Sequence, residues 1–206
     1  MIENLSELHM VGYGGLGKEI CFLLHSKYPK LTIIPYDDFT HNEEVFKIET
    51  LKSIKRPIHC LIAIGDPKGR ESVYNVICQN KFISFPNIIL SNFENYQYSN
   101  YNKIGIGNLI MPQTIIGFNC SIGNFNLLGV NSSLGHDVKI DNFNFIGPNS
   151  FLAGNVKIEN QCMLSFGTFV LQKISLTSFV KTMPYTAIYR NITKQGSYHG
   201  NPAKLI

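Results

Sequence analysis

The sequence lacks the features of several large classes of protein. No apolar run in its 206 residues approaches the roughly 20 residues that a helix needs to cross a bilayer, and no signal peptide is recognisable. Lysine and arginine are scattered, and the net charge is only +4. We therefore expect neither membrane insertion nor nucleic-acid binding.

Cysteine is scarce, and no metal-binding spacing is present. The cysteines number five, form no CxxC pair and each lie in an apolar run; they are Cys21, Cys60, Cys78, Cys120 and Cys162. This pattern predicts reduced, buried thiols and a cytoplasmic location. None of the six histidines stands at zinc-site spacing from Cys, Asp or Glu, so no metal is expected.

What the sequence does contain is an uninterrupted six-residue repeat. Every sixth residue from 104 to 176 is aliphatic: Ile104, Ile110, Ile116, Ile122, Leu128, Leu134, Ile140, Ile146, Leu152, Ile158, Leu164, Val170 and Leu176. This period fits neither a helix nor an alternating strand, but it fits a coil of short strands with inward-pointing aliphatic residues. Three repeats make a triangular coil of eighteen residues, so residues 104–175 predict four coils.

Glycine follows six of the thirteen aliphatic residues. We interpret these glycines as relieving tight backbone geometry at the corners of the coil. Residues 177–206 lose the rhythm and are predicted to form a less regular tail. A sandwich of evenly spaced short strands is the alternative, although its variable loops would break the register.

Residues before the repeat alternate between apolar runs and helical patterns. The runs 8–11, 31–35, 60–64 and 82–89 predict strands, and the segments 18–26, 43–54 and 67–79 predict helices. Such alternation predicts a parallel sheet with crossover helices. Only about ninety residues precede the repeat, enough for one half of a dinucleotide-binding fold, so we expect a single nucleotide rather than NAD or FAD.

A GxGxxG motif follows the first predicted strand, with glycines at 12, 14 and 17. Glycines at this spacing allow a tight turn, close approach of a phosphate and an anion at the next helix N-terminus. Asp37 and Asp38, after the second strand, are candidates for hydrogen bonds to a ribose or base. Arg70 is a candidate for a phosphate contact. A ligand-free turn and a solvated Arg70 remain open.

One histidine lies inside the repeat, next to an acid. His136 precedes Asp137 at a predicted corner, and the eighteen-residue period places Gly154 directly above His136. A general base beside a bare backbone N–H that can stabilise an oxyanion is the arrangement that acyl transfer requires. A surface histidine beside a surface aspartate is the plainer interpretation.

Several motifs occur in the order in which a bacterial family carries them. They are VGYGGLGKEI, YDD, AIGD, GHD, LAGNV and the terminal GNPAK. With the repeat, they resemble the hexapeptide-repeat sugar acetyltransferases, which include nucleotide-linked amino-sugar N-acetyltransferases and sialic acid O-acetyltransferases. The resemblance implies an α/β half-Rossmann domain in residues 1–91, a linker in 92–103 and a left-handed parallel β-helix with a tail in 104–206.

The resemblance also implies an acetyl-CoA-dependent acetyltransferase that needs no metal. His136 would be the general base, Asp137 would raise its basicity, and Gly154 would bind the oxyanion. It implies a homotrimer with active sites between neighbouring subunits. The substrate would be a UDP-, dTDP- or GDP-linked amino sugar. The nucleotide would be held by Gly12, Tyr13, Gly14, Asp37, Asp38 and Gly65, and acetyl-CoA would lie near Phe145, Gly154 and Phe166.

Two positions depart from the family pattern. Gly129 stands where an asparagine is common, and Phe145 stands where a histidine near the acetyl group is common. These departures leave the acceptor and the acyl group open. The alternatives are O-acetylation of a sugar such as sialic acid, a non-catalytic β-helix scaffold, and a dinucleotide-dependent oxidoreductase.

Overall fold

The computed structural model describes residues 5–40, 42–91 and 101–206. The chain separates into two compact units, Met1–Ile88 and Ile89–Ile206. Most of the predicted linker, residues 92–100, lies outside the described residues. The last residue of the predicted linker, Lys103, is the first residue of a β-strand.

The first unit is a parallel sheet with helices. Its strands are β1 (Glu7–Val11), β2 (Thr32–Tyr36), β3 (Ile58–Ile62) and β4 (Ile83–Ser84), in the order β2-β1-β3-β4. Helix α1 is Gly15–Lys27 and helix α2 is Pro67–Ile77. Asp66 caps α2 by accepting a hydrogen bond from the Gly69 N–H, and Pro67 takes the first turn, where its missing N–H is harmless. The predicted α/β arrangement is confirmed.

Two predicted elements of this unit are wrong. Of the helix predicted for 43–54, only Ile48–Ser53 is helical, as a short 3₁₀ turn. The chain before it extends alongside β2, because Phe46 donates its N–H to Pro35 and accepts the N–H of Asp37. The single strand predicted for 82–89 is two strands, β4 and β5 (Ile88–Ile89), since the intervening Pro86 has no N–H to donate to a sheet.

The second unit is a parallel β-helix of about six coils, which confirms the predicted fold. Its further strands are β6 (Lys103–Ile104), β7 (Leu109–Ile110), β8 (Ile115–Ile116), β9 (Ser121–Ile122), β10 (Leu127–Leu128), β11 (Ser133–Leu134), β12 (Lys139–Ile140), β13 (Phe145–Ile146), β14 (Phe151–Leu152), β15 (Lys157–Ile158), β16 (Met163–Leu164), β17 (Phe169–Val170), β18 (Ser175–Leu176), β19 (Val180–Thr182), β20 (Ala187–Ile188), β21 (Gly196–His199) and β22 (Lys204–Leu205).

The strands stack into three faces. The first face contains β5, β7, β10, β13, β16, β19, β21 and β22; the second contains β8, β11, β14, β17 and β20; the third contains β6, β9, β12, β15 and β18. Parallel partners lie eighteen residues apart, as in the pairs Ser133↔Phe151 and Leu134↔Leu152. The eighteen-residue stacking period is therefore confirmed.

The β-helix extends beyond the four predicted coils. The tail continues to stack in parallel through β19, β20 and β21, and β22 then pairs antiparallel with β21. The pairs Leu176↔Ile192 and Val180↔Gly196 are 16 residues apart instead of 18. A coil two residues shorter thus breaks the rhythm of the sequence without ending the stack.

The repeated aliphatic residues form the core of the β-helix. Twelve of the thirteen are buried, and only Ile104, at the first coil, is partly exposed. Each fully buried aliphatic side chain contributes about 1.5–3 kcal/mol relative to an exposed one. The inward column predicted from the period is confirmed.

The corners have a second six-residue pattern. From 107 to 185 every sixth residue has a positive φ: Gly107, Gln113, Asn119, Phe125, Asn131, Asp137, Phe143, Asn149, Asn155, Gln161, Gly167, Lys173, Phe179 and Tyr185. Asn, Asp and Gly tolerate this conformation, whereas an aromatic residue there is strained by about 1–3 kcal/mol. At Phe125 and Phe143 ring stacking offsets part of that strain, with centroids 5.2 Å apart.

The glycines that follow the aliphatic residues have a different role from the predicted one. Their φ angles are not in the left-handed region. A Cβ on Gly117 would lie 2.7 Å from the carbonyl carbon of Gly135, and one on Gly123 would lie 2.6 Å from the carbonyl oxygen of Asp141. These glycines therefore allow successive coils to approach closely, while the residues of positive φ turn the corners.

Candidate active site

His136 and Asp137 form a hydrogen-bonded pair at the corner between the second and third faces. The Nδ1 atom of His136 lies 2.7 Å from Oδ2 of Asp137. Because an ionised carboxylate only accepts, Nδ1 carries the proton and Nε2 of the neutral imidazole is left bare. The histidine side chain is 63% exposed, so a ligand can reach this basic nitrogen.

The carboxylate of Asp137 has a second partner that the sequence analysis missed. Its Oδ1 accepts a hydrogen bond of 2.7 Å from Nδ2 of Asn119, one coil away. The bonds from His136 and then from Asn119 hold the pKa of Asp137 below its usual value, although slight desolvation opposes them. The eighteen-residue period contains the signal that would have identified Asn119, since it aligns residues 119 and 137.

Gly154 lies against the imidazole of His136, in the place that the period predicts. A Cβ on Gly154 would be 2.5 Å from Nε2 and 2.7 Å from Cε1 of that ring. Within the described part of the chain, the Gly154 N–H has no hydrogen-bond acceptor. The basic Nε2 of His136 thus lies against a glycine whose N–H is bare, and these are the two groups that general-base catalysis with oxyanion stabilisation requires.

The two phenylalanines predicted to contact acetyl-CoA lie elsewhere on the same chain. Phe145 is half-buried on β13 of the first face. Phe166 follows β16 at the corner between the first and second faces, where its ring packs edge-on against Tyr185. The structure of one chain therefore does not bring Phe145 and Phe166 to the corner that holds His136.

In the GxGxxG turn of the first unit, some glycines are packed against backbone atoms and others have free space around them. Gly12 has φ +98°, and a Cβ there would lie 2.7 Å from the Ala63 carbonyl oxygen. A Cβ on Gly17 would collide with the carbonyl oxygen of Gly12. By contrast, Gly14 and Gly15 have nothing within 4 Å of such an atom. Packing thus requires Gly12 and Gly17, whereas Gly14 and Gly15 leave room for a ligand at the start of α1.

Asp37 connects the GxGxxG turn to the loop after β2. Its Oδ2 accepts the Tyr13 N–H at 2.8 Å, and its Oδ1 accepts the N–H groups of Phe39 and Thr40. Burial acts to raise its pKa, but these backbone bonds hold the pKa of Asp37 below its usual value. Asp38 accepts the Ile48 N–H at 3.0 Å. Both carboxylates thus shape the loop at the carboxyl ends of the strands.

Arg70 is buried in the first unit. Its side chain is 2% exposed, and Nη1 donates to the carbonyl oxygens of Ile64 and Gly65. Burial lowers the pKa of Arg70 to about 10, and the nearby Asp66 opposes that shift. The solvated alternative is wrong, because the guanidinium is buried beneath the loop that follows β3, and the phosphate contact stays a prediction. Arg70 holds Gly65 in place.

Two absences concern only the part of the chain that the structure describes. No group of three or more His, Cys, Asp or Glu residues there lies together as a metal site would. No helix in the same ranges is long and apolar enough to cross a membrane.

The chain combines a parallel β-helix with an α/β unit, and solved structures share this combination. No family model matches the sequence, and no curated protein matches it significantly. A mutant perosamine N-acetyltransferase from Caulobacter crescentus, in complex with CoA and GDP-perosamine, superposes with a TM-score of 0.82 at 19% identity, covering 97% of this chain and 96% of that one.

Two further structures are similar over nearly their full length. The acetyltransferase domain of PglB from Neisseria gonorrhoeae, in complex with acetyl coenzyme A, has a TM-score of 0.82 at 21% identity and covers 98% of this chain and 100% of that chain. WeeI from Acinetobacter baumannii has a TM-score of 0.79 at 19% identity and covers 97% of this chain and 99% of that chain. At these identities the likeness establishes the fold alone.

Proposed function

We propose that this protein is an acetyl-CoA-dependent N-acetyltransferase that acts on the amino group of a nucleotide-linked amino sugar. The observation that carries the proposal is the corner of the β-helix, where Nε2 of His136 lies beside the backbone of Gly154 while Asp137 occupies Nδ1. The near full-length likeness to an N-acetyltransferase holding CoA and GDP-perosamine supports it.

The reaction needs only these three residues and the two substrates. The sugar amine attacks the thioester carbonyl, and Nε2 of His136 takes the amine proton. The Gly154 N–H stabilises the oxyanion of the tetrahedral intermediate, and Asp137 stabilises the imidazolium. When the intermediate collapses, the carbon–sulfur bond breaks and the imidazolium returns the proton to the CoA thiolate. The products are the acetamido sugar and free CoA.

We further propose that residues 1–91 bind the nucleotide and residues 104–206 perform acyl transfer. The open Gly14–Gly15 backbone suits a diphosphate, because the N–H groups at a helix N-terminus attract anions. Asp38 is exposed, follows the Asp37 that accepts the Tyr13 N–H, and suits a hydroxyl of the ribose or base. The likeness to the GDP-perosamine complex makes a GDP-linked amino sugar the first substrate to test, ahead of UDP- and dTDP-linked ones.

The proposed assembly is a homotrimer with an active site between neighbouring subunits. Phe145 and Phe166 lie away from the corner of His136 on one chain, and in the proposed trimer a second chain supplies them to the CoA site. The second face also carries an exposed apolar stripe, in which Phe151 and Phe169 stack with centroids 5.8 Å apart. Such a stripe suits burial against another copy. Acetyl-CoA and free thiols suit a cytoplasmic location.

A thiol-release assay tests the proposal. The protein is mixed with acetyl-CoA and either GDP-, UDP- or dTDP-linked 4-amino sugars or free sialic acid. We expect free CoA with one nucleotide-linked amino sugar. We also expect His136→Ala to lower turnover by roughly 10²–10⁴-fold, the usual contribution of a general base. His25→Ala, which removes another exposed histidine, is the control and keeps full activity.

The other outcomes of the assay contradict specific parts of the proposal. Turnover with sialic acid alone would assign O-acetylation. Near-normal activity of His136→Ala would remove the histidine from its role as the base. No release of CoA with any acceptor would contradict the acetyl donor or the class of acceptor.

A further inference from the structure

Asn119 lies one coil away from the His136–Asp137 pair and touches it through the carboxylate. Its Nδ2 donates to Oδ1 of Asp137 at 2.7 Å, while Oδ2 of the same carboxylate lies 2.7 Å from Nδ1 of His136. Each carboxylate oxygen therefore has its own partner. Asn119 and Asp137 both have the left-handed corner conformation, with φ of 58° and 59°.

We propose that Asn119 is a positioning residue for the catalytic histidine, an inference that rests on the proposed acyl-transfer function. By holding Oδ1, Asn119 fixes the rotation of the Asp137 carboxylate so that Oδ2 stays directed at Nδ1 of His136. The imidazole then keeps one tautomer, with its bare Nε2 directed towards Gly154. Asn119 touches no reacting atom and acts only through Asp137.

The exposure of the carboxylate explains why it needs such a partner. The Asp137 side chain is 36% exposed, so its carboxylate is open to water on part of its surface. The positive charge of Lys139 also acts on Asp137, and the thiol of Cys120 lies close enough to be affected by it. Without Asn119, the carboxylate is free to turn towards water or Lys139. The hydrogen bond to Nδ1 would then be made for only part of the time.

A second hydrogen-bonded pair at another corner provides a control, because it has the same geometry as Asn119 and Asp137 but no histidine beside it. Nδ2 of Asn131 donates to Oδ1 of Asn149, also at 2.7 Å and also across eighteen residues. Both residues have φ of 56°. The acceptor of that pair is a neutral amide at a different corner, without a titratable neighbour on its own turn. Substitutions at 131 therefore remove the same kind of stacking bond without altering a catalytic group.

The most informative change is Asn119→Asp. The new side chain has the same size and tolerates the corner conformation, but it offers an acceptor where a donor was. A second carboxylate beside Asp137 adds negative charge near His136, which raises the pKa of the imidazole. We expect turnover to fall about tenfold, since a hydrogen bond to a charged group is lost, with KM for both substrates within about twofold. Asn119→Ala should give a similar loss of turnover.

The test combines kinetics with imidazole NMR of the full-length protein. For Asn119→Asp we expect the acid limb of the kcat/KM profile and the His136 NMR titration to move together to higher pH. For Asn119→Ala we expect the ¹⁵N shifts to change from the Nδ1–H tautomer to a mixture. Asn131→Asp and Asn131→Ala should match the 119 variants in melting temperature while keeping wild-type turnover and wild-type His136 signals.

Two results would overturn the inference. If the 119 and 131 variants lose the same fraction of turnover, Asn119 is only a structural member of the corner stack. If the tautomer and pKa of His136 are unchanged in both 119 variants, Asn119 does not act through Asp137. The NMR readout needs no substrate, so it decides the role of Asn119 even if the wild-type protein acetylates none of the sugars tested.

Discussion

Gly154→Ala is the sharpest perturbation that the candidate site offers. The added methyl carbon would lie 2.5 Å from Nε2, 2.7 Å from Cε1 and 3.1 Å from Cδ2 of His136. Carbon atoms in contact normally stay about 3.5–4.0 Å apart, so the ring must move by about 1 Å or more. A displacement of about 1 Å in a catalytic group costs on the order of 10²-fold in rate. We therefore expect turnover to fall by about two orders of magnitude.

The fold should tolerate this substitution. The equivalent corner positions in neighbouring coils are Phe118, His136 and Gln172, which all carry side chains. The φ of Gly154 is not in the left-handed region, so alanine adopts it without strain. The ring of His136 is exposed and can swing into solvent. The free energy of unfolding should therefore change by less than about 0.5 kcal/mol, as for most surface substitutions.

The assay measures turnover and the urea midpoint on the same samples of wild type, Gly154→Ala, His136→Ala and the double variant. Because the methyl group acts through the ring, Gly154→Ala should change the rate less than about twofold in the His136→Ala background. Retention of more than half of wild-type turnover by Gly154→Ala would refute the reasoning, since catalysis would then not require the imidazole to lie against Gly154. A large loss of stability would refute the claim that the effect is local.

Three further predictions concern stability. Gly123→Ala should cost about 1–3 kcal/mol, because its Cβ would lie 2.6 Å from the carbonyl oxygen of Asp141; an unchanged urea midpoint would contradict that contact. Leu134→Ala should cost about 2–5 kcal/mol, because the side chain is buried in the central column; Ser133→Ala, on the outer side of the same strand, is the control and should cost much less. The pKa of Asp37 is lower in the folded protein than in the unfolded chain, where it is about 3.9, so the ionised carboxylate stabilises the first unit at any pH above about 3.9. This stabilisation is lost as the pH falls through the pKa of the folded protein. Asp37→Asn should therefore unfold at lower urea than wild type at pH 7, with the difference shrinking towards pH 3; a constant difference would contradict an electrostatic origin.

The repeat could be predicted from sequence because one physical requirement recurs at every turn. A coil with a strand on each of three faces must bury one aliphatic residue per strand, and a single polar residue in that column would leave an unpaired group in the core. The period therefore specifies the inward column. It also specifies the eighteen-residue register, and that register alone is enough to align His136 with Gly154.

The corner residues could not be predicted in the same way. Their shared property is a backbone angle, and side chains as different as Phe143, Asn149 and Lys173 adopt it. Neighbouring coils enforce the angle through backbone bonds such as Asn155 N–H to the His136 carbonyl. The burial of Arg70 could not be predicted for a related reason: a charged residue on a helix is usually solvated, and only the tertiary fold buries it on the carbonyls of the β3 loop.

The candidate site is recognisable in columns of eighteen residues rather than in a local motif. At the corner between the second and third faces, one column contains Phe118, His136, Gly154 and Gln172, and the next contains Asn119, Asp137, Asn155 and Lys173. In these two columns only His136 is a histidine with a glycine directly above it, and this glycine lets the imidazole lie against the backbone of the next coil. At the same level the neighbouring column supplies a carboxylate, with an amide donor one coil away at 2.7 Å. The stacking of the coils thus turns a separation of eighteen residues into direct contact, and the proposed catalytic pair with its support is built from residues that no short motif would group.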